Sequence, residues 1–174
     1  MTAAPVIPDR IRWAVGLLGL SAGDRVLEIG CGPGAAAELI CPLLDTGFLL
    51  AVDRSATAVA RARSRNASHR AAGRLEVLEA SLAQLPEHTG TFDVAFAVNV
   101  NVFWTDPAGP ELDVLFRVLR PDGRLAILYG PGPLQGAGSA AHTGVITDQL
   151  RSRGFRDART LLEERGTGVI CRRN

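Results

Sequence analysis

Arg25-Val26-Leu27-Glu28-Ile29-Gly30-Cys31-Gly32-Pro33-Gly34 is the stretch that decides the fold of this 174-residue chain. Its first five residues form a short apolar run, which reads as a buried strand. Three alternate glycines then permit a sharp turn, and Ala35 to Leu44 continues as a helical stretch. The same order recurs downstream. Phe48 to Val52 is a second apolar strand that stops at Asp53, and Ser55 is placed to cap an Ala/Arg-rich helix running to Arg70. Leu75 to Leu78, Phe92 to Val98 and Arg124 to Tyr129 read as further strands, with a helix over Glu111 to Leu119. Strands that are continuously apolar and separated by helices imply a parallel sheet covered on both faces, an α/β, doubly wound, Rossmann-like fold. Ligands of such folds bind beyond the carboxyl ends of the strands.

At the front of the chain, Pro8 opens a helix that carries Ile11, Val15, Leu18 and Trp13 on one side and closes near Gly19. At the back, Thr143 to Arg153 reads as a helix. Ala158 to Leu162 and Gly168 to Arg172 read as two strands that turn at Gly166, an antiparallel hairpin.

Composition narrows the function. The formal charge is +1 with no block of like sign, so neither a nucleic acid nor a membrane surface is expected as partner. The chain has no lysine, which excludes a P-loop and Schiff-base chemistry. Cys31, Cys41 and Cys171 are odd in number and lack CxxC spacing, so no disulfide framework and no zinc site is indicated. Met1 to Arg12 has no basic leader region, and Trp13 to Leu20 is too short to span a bilayer; cytoplasmic residence is the expectation.

The glycine loop alone does not name its ligand, because nicotinamide and flavin enzymes use glycines at the same place. Glu28 discriminates better. A carboxylate at the strand end repels a pyrophosphate and attracts a cation, unless it merely caps a helix or pairs with an arginine. Asp53, 19 positions beyond Gly34, places a second carboxylate beside the loop. Its two oxygens suit ribose hydroxyls; capping the following helix is the alternative.

Val26 to Gly34 resembles motif I of the class I S-adenosylmethionine-dependent methyltransferases of the type 11/25 kind, and Ala51-Val52-Asp53-Arg54-Ser55 resembles their second motif. Leu85-Pro86 with Thr91-Phe92-Asp93-Val94 is similar to the family's LP and FD pair. Phe116-Arg117-Val118-Leu119-Arg120-Pro121-Asp122-Gly123 is similar to its RVLKPGG turn, and the terminal hairpin to its last strands. The likeness runs from about Ile11 to the end. It implies a seven-stranded sheet in one domain over residues 21–174, with residues 1–20 as an N-terminal helix and partial cap. It implies S-adenosylmethionine as cofactor, with its methionine end near Glu28 and the loop Gly30, Gly32 and Gly34. Its ribose would lie on Asp53 beside Arg54, with its adenine near Ser81 and Leu82 and a further contact from Asn99.

Many members carry an aspartate where this chain has Ser81, accepting a hydrogen bond from the adenine amino group. The serine hydroxyl can accept the same bond, or Ser81 can cap a turn with Gln84, a capping-box spacing. The chain is also short of covering segments: only Met1 to Leu20 and the loop Gly130 to His142 are available. An open acceptor site suits a large acceptor, a mobile lid, a homodimer or a partner subunit.

Methyl transfer is an in-line displacement in which alignment does most of the work. Asn99, Val100, Asn101, Phe103 and Trp104 follow the fourth strand and are placed to face the methyl group. Asn99 is the residue to orient an acceptor. Trp104 is an apolar wall or a packing residue, and Tyr129 ends the fifth strand at the same edge. His142 is the candidate base, with a solvated loop histidine as the alternative. The expected function is methyl transfer to a small-molecule acceptor; the alternatives are an NAD(P)-dependent oxidoreductase and a non-catalytic methyltransferase-like binding module.

Overall fold

Period-two alternation assigns the strand residues to two cores. In the computed structural model, which describes residues 6–86, 89–103, 109–130 and 137–174, Leu27 and Ile29 point to one face and Val26 to the other. Leu50 and Val52 alternate with Leu49 and Ala51, and Leu125, Ile127 and Tyr129 with Ala126 and Leu128, in the same way.

The elements are α1 (Asp9–Leu17), β1 (Arg25–Ile29), α2 (Ala35–Ile40), β2 (Phe48–Asp53), α3 (Ala56–Arg65), α4 (Ala67–Ala71), β3 (Leu75–Glu79), β4 (Phe92–Val98), α5 (Gly109–Val118), β5 (Leu119–Tyr129), α6 (Ala137–Ser152), β6 (Phe155–Glu163) and β7 (Gly166–Arg173). They form one seven-stranded sheet of order β3-β2-β1-β4-β5-β7-β6. The first five strands are parallel, and β7 runs antiparallel to both β5 and β6. Residues of α1, α2 and α3 fill one core, and those of α5 and α6 the other. The doubly wound sheet and its antiparallel end match the expectation.

Several boundaries differ. The helix expected over Ser55 to Arg70 is two helices that break at Asn66. This side chain is fully buried and donates from Nδ2 to the carbonyls of Gly34 at 2.9 Å and Ala62 at 3.1 Å. The stretch Ala35 to Leu44 ends in a 3-10 turn, Cys41–Leu43, because Pro42 cannot continue the α-helical ladder. Gly166 is the first residue of β7, the turn being Glu164 and Arg165, and α6 begins at Ala137 rather than Thr143.

The segments Phe92-Asp93 and Arg117 to Gly123, singled out above by resemblance, are structural here. Asp93 accepts from the Arg25 N–H at 2.8 Å and pairs with Arg120, so the amino ends of β1, β4 and β5 are held together.

Candidate active site

A cleft of about 520 Å³ opens where β1 and β4 diverge toward opposite sides of the strand order. Ile29 and Gly30 from β1, Val52 to Arg54 from β2, Ala80 to Leu82 after β3, Asn99 to Val102 after β4, and Glu111 of α5 line it.

The loop after β1 is held from β2. The N–H groups of Gly30 and Cys31 both donate to the Val52 carbonyl, at 2.8 and 3.0 Å. Gly32 N–H donates to Asp53 Oδ2 at 2.8 Å, while Ser55 N–H donates to Oδ1 at 2.9 Å. Each carboxylate oxygen keeps a further lone pair, so Asp53 can brace the loop and still accept two ribose hydroxyls. The helix cap is Ser55 itself, whose Oγ accepts from Ala58 N–H at 3.3 Å. Arg54 is exposed on the cleft rim. Gly34 sits at φ +78°, and a Cβ there would come within 2.6 Å of Asn66 Nδ2, so the glycine is required by conformation and by contact alike.

Glu28 lies one step behind the cleft wall. It is 4% exposed, shares the α1 and α2 face with Val26, and its Oε2 has no hydrogen-bond partner. No arginine neutralises it among the described residues. Burial, and then the negative charge of Asp53, push its carboxyl up to about 8. The ionised Asp53, with Glu28 held protonated behind it until the pH approaches 8, makes the ground beneath the glycine loop unfavourable for the pyrophosphate of a dinucleotide. A ligand with ammonium and sulfonium centres is attracted by Asp53 and favours ionisation of Glu28, so S-adenosylmethionine fits these residues.

Ser81 caps a turn and stands in the cleft wall as well. Its hydroxyl donates to Gln84 Oε1 at 2.9 Å and its N–H to the same oxygen at 3.2 Å, which caps the turn Leu82–Gln84, yet Ser81 also lines the cleft together with Leu82.

The acceptor edge departs further from expectation. Asn99 lines the cleft at φ +57°, a conformation that asparagine tolerates better than most residues. Its Oδ1 accepts from Gly130 N–H at 2.8 Å, and its own N–H donates to the Leu128 carbonyl at 2.9 Å, so it ties the ends of β4 and β5 together. Tyr129, expected at the acceptor edge, is 2% exposed and belongs to the α5 and α6 core; its hydroxyl donates to the Val100 carbonyl at 3.3 Å. The strand's alternation sends that side chain inward. Phe103 is likewise buried in the core.

His142 is exposed in the early turns of α6, not in a loop, and is not among the residues lining the cleft. The alanines around it favour a helix where Gly136 and Gly138 suggested a loop. Trp104, and residues 131–136 of the loop expected to cover the site, lie outside the described residues.

Two residues of this region carried little signal in the sequence. Asn66, a poor helix former inside an apparently continuous helix, marks the break that locks Gly34. Glu111 reaches the cleft wall from the first turn of α5, where an acidic residue reads as ordinary helix-end chemistry.

The sequence pattern of the family described as "Methyltransferase domain" matches residues 26–123. An O-methyltransferase from Aspergillus nomiae is 33% identical over 105 residues, which is 60% of this chain and 46% of that protein. A ubiquinone/menaquinone biosynthesis C-methyltransferase from Pseudomonas putida is 33% identical over 121 residues, 67% of this chain and 46% of its own length. The chain thus spans less than half of these two relatives. The crystal structure of a SAM-dependent methyltransferase from Aquifex aeolicus shares the fold with a TM-score of 0.77 at 20% identity, covering 94% of this chain and 89% of that one.

Proposed function

Because the chain belongs to the methyltransferase domain family, among the class I S-adenosylmethionine-dependent methyltransferases, we propose that it transfers the methyl group of that donor to a small-molecule acceptor. The observation that carries the reading is the pairing of the braced glycine loop with two carboxylates, Asp53 facing the cleft and Glu28 buried without a partner behind it.

Asp53 accepts the ribose hydroxyls, the neighbourhood of Ser81 and Leu82 receives the base, and the loop from Gly30 to Gly34 offers its backbone to the methionine end. When bound, the donor supplies a methyl group already activated by its sulfonium. The protein's part is alignment and exclusion of water. Val100 covers Gly30 so closely that a Cβ on the glycine would lie 2.5 Å from its Cγ2, which places an apolar side chain beside the methionine end of the site. Asn101 and the amide of Asn99 offer polar groups to an incoming hydroxyl, amine or carbon acid. A cleft of this size, a near-neutral chain and relatives that methylate oxygen and carbon favour a small acceptor over a nucleic acid.

Calorimetry with S-adenosylmethionine, S-adenosylhomocysteine, NADH and NADPH tests the cofactor: binding of the first two alone is expected, and binding of a dinucleotide alone would remove the reading. Incubation with the methyl-labelled donor and separate pools of phenols, carboxylic acids, amines, protein and RNA tests the acceptor. Label confined to protein or RNA would contradict the small-molecule assignment.

A further inference from the structure

We propose that Glu111 receives the exocyclic amino group of the cofactor's adenine, supplying the negative charge that Ser81 lacks; this rests on the reading that the cleft holds S-adenosylmethionine. Asp53 fixes the ribose end at β2; Ser81, after the neighbouring strand β3, and Glu111 line the same cleft. Val52, Leu82 and Val102 give the same cleft apolar surface, which suits the faces of a purine. Helix α5 packs against the turn Leu82–Gln84, so its first turn stands beside the place where the base arrives.

Ser81 is a weakened partner for an amino group. Its proton is committed to Gln84 Oε1, and what remains is a neutral acceptor. Glu111, by contrast, is half-buried in the wall of the same cleft and makes no hydrogen bond or ion pair among the described residues. A carboxylate that has given up part of its hydration without gaining a partner stands to recover that loss from a donor brought by the ligand. The adenine amino group carries two hydrogens. Ser81 Oγ and a Glu111 oxygen can take one each, which restores a charge-assisted bond from a different element of the fold. In hypoxanthine the amino donor is replaced by a carbonyl oxygen, which repels a carboxylate and cannot donate to it, so at that position the arrangement selects adenine over hypoxanthine.

Calorimetry on the full chain with S-adenosylhomocysteine and its deaminated analogue, S-inosylhomocysteine, tests this directly. The wild type should prefer the adenine ligand by about 10-fold or more, the size of a hydrogen bond to a charged group. Glu111→Ala should remove most of that preference while leaving the inosine ligand within about 2-fold, a change smaller than one ordinary hydrogen bond. Glu111→Gln should bind the inosine ligand tighter than the wild type does, since an amide can donate to the new carbonyl, a gain that a misfolded variant cannot produce. Equal losses for both ligands, or no loss for either, overturn the proposal. So does a Glu111→Ala protein that binds S-adenosylhomocysteine normally but fails to methylate its acceptor, which moves Glu111 to the acceptor side. Wild-type protein that binds neither ligand overturns the cofactor reading itself, a separate failure.

Discussion

The two halves of the cleft use the same kinds of residue for opposite ends. On the side of β1 to β3, Asp53 takes hydrogen bonds from Gly32 and Ser55 and still faces the cleft with lone pairs to spare. On the side of β4 and β5, Asn99 spends its carbonyl oxygen on Gly130 and Tyr129 spends its hydroxyl on Val100. A carboxylate has acceptor capacity left after bracing a loop, whereas an amide oxygen or a phenol engaged by the backbone has much less. The first half therefore keeps acceptor capacity facing the cleft. The second is organised around its own strand ends.

The largest expected effect tests the first half. Asp53→Ala should weaken S-adenosylhomocysteine binding by about 2 to 4 kcal/mol, because two hydroxyls lose a charged acceptor. It should also lower the melting temperature, because the N–H groups of Gly32 and Ser55 lose their partner. Calorimetry and a thermal melt on the same sample separate the two. A lower melting temperature with unchanged affinity would make Asp53 a brace of the Asn99 kind and erase the contrast.

Glu28 gives the next effect, through pH. Its native carboxyl is held up to about 8 against an ordinary 4.5, so the native state keeps a proton that the unfolded chain has lost. Its contribution is fully present below 4.5 and is lost as the pH rises through 8. Glu28→Gln should flatten that decline and be the more stable protein at pH 8, by on the order of a few kcal/mol at roughly 1.4 kcal/mol per pH unit. Ligand binding should slope the other way. A cationic ligand requires the ionised carboxylate, so wild-type affinity should rise by up to about tenfold per pH unit between pH 6 and 8, and the variant should show no such slope. Urea denaturation and calorimetry across that range check both; a wild type flat in both would remove Glu28 from the cofactor's surroundings.

How legible each half was in the sequence follows from the same contrast. The strand before the glycines and the loop are contiguous, and Asp53 ends the next strand, so β1, β2 and the place of Gly30 and Asp53 on the cleft could be read directly. The break at Asn66 could not, because its cause is Gly34, 32 positions away, reached only once α3 lies across the loop. Glu111 was hidden for a related reason: its place in the cleft comes from the packing of α5 on the turn after β3. Tyr129 was misplaced by reading strand ends as ligand edges without following the alternation that turns this side chain into the core.

Gly34 sharpens the point at moderate size. Gly34→Ala should cost about 2 to 3 kcal/mol of stability, combining a left-handed backbone with displacement of Asn66. Gly32→Ala, at φ +52° with nothing within 4 Å of the added carbon, should cost only the conformational part, about 1 to 2 kcal/mol. Urea midpoints rank the two; equal costs would mean that Asn66 yields without penalty.

The smallest effect belongs to the acceptor side and tests whether alignment suffices there. A true general base contributes about 100-fold to 10,000-fold to the chemical step, so removing one is unmistakable in single-turnover methyl transfer. His142 is exposed on α6 and does not line the cleft, so His142→Ala should leave the step within about 2-fold, far below that range. Asn99→Ala should slow it by about 10-fold or less, because the variant frees Gly130 N–H and lets the end of β4 shift rather than removing a proton acceptor. Asn99→Gly supplies the second reading. It keeps the left-handed backbone at φ +57° while losing the brace, so a rate close to that of Asn99→Ala assigns the loss to the hydrogen bond, and a rate near wild type assigns it to backbone conformation. A 100-fold drop for His142→Ala with cofactor affinity intact would place a base on α6, and the acceptor half would then be built for chemistry as the cofactor half is built for binding.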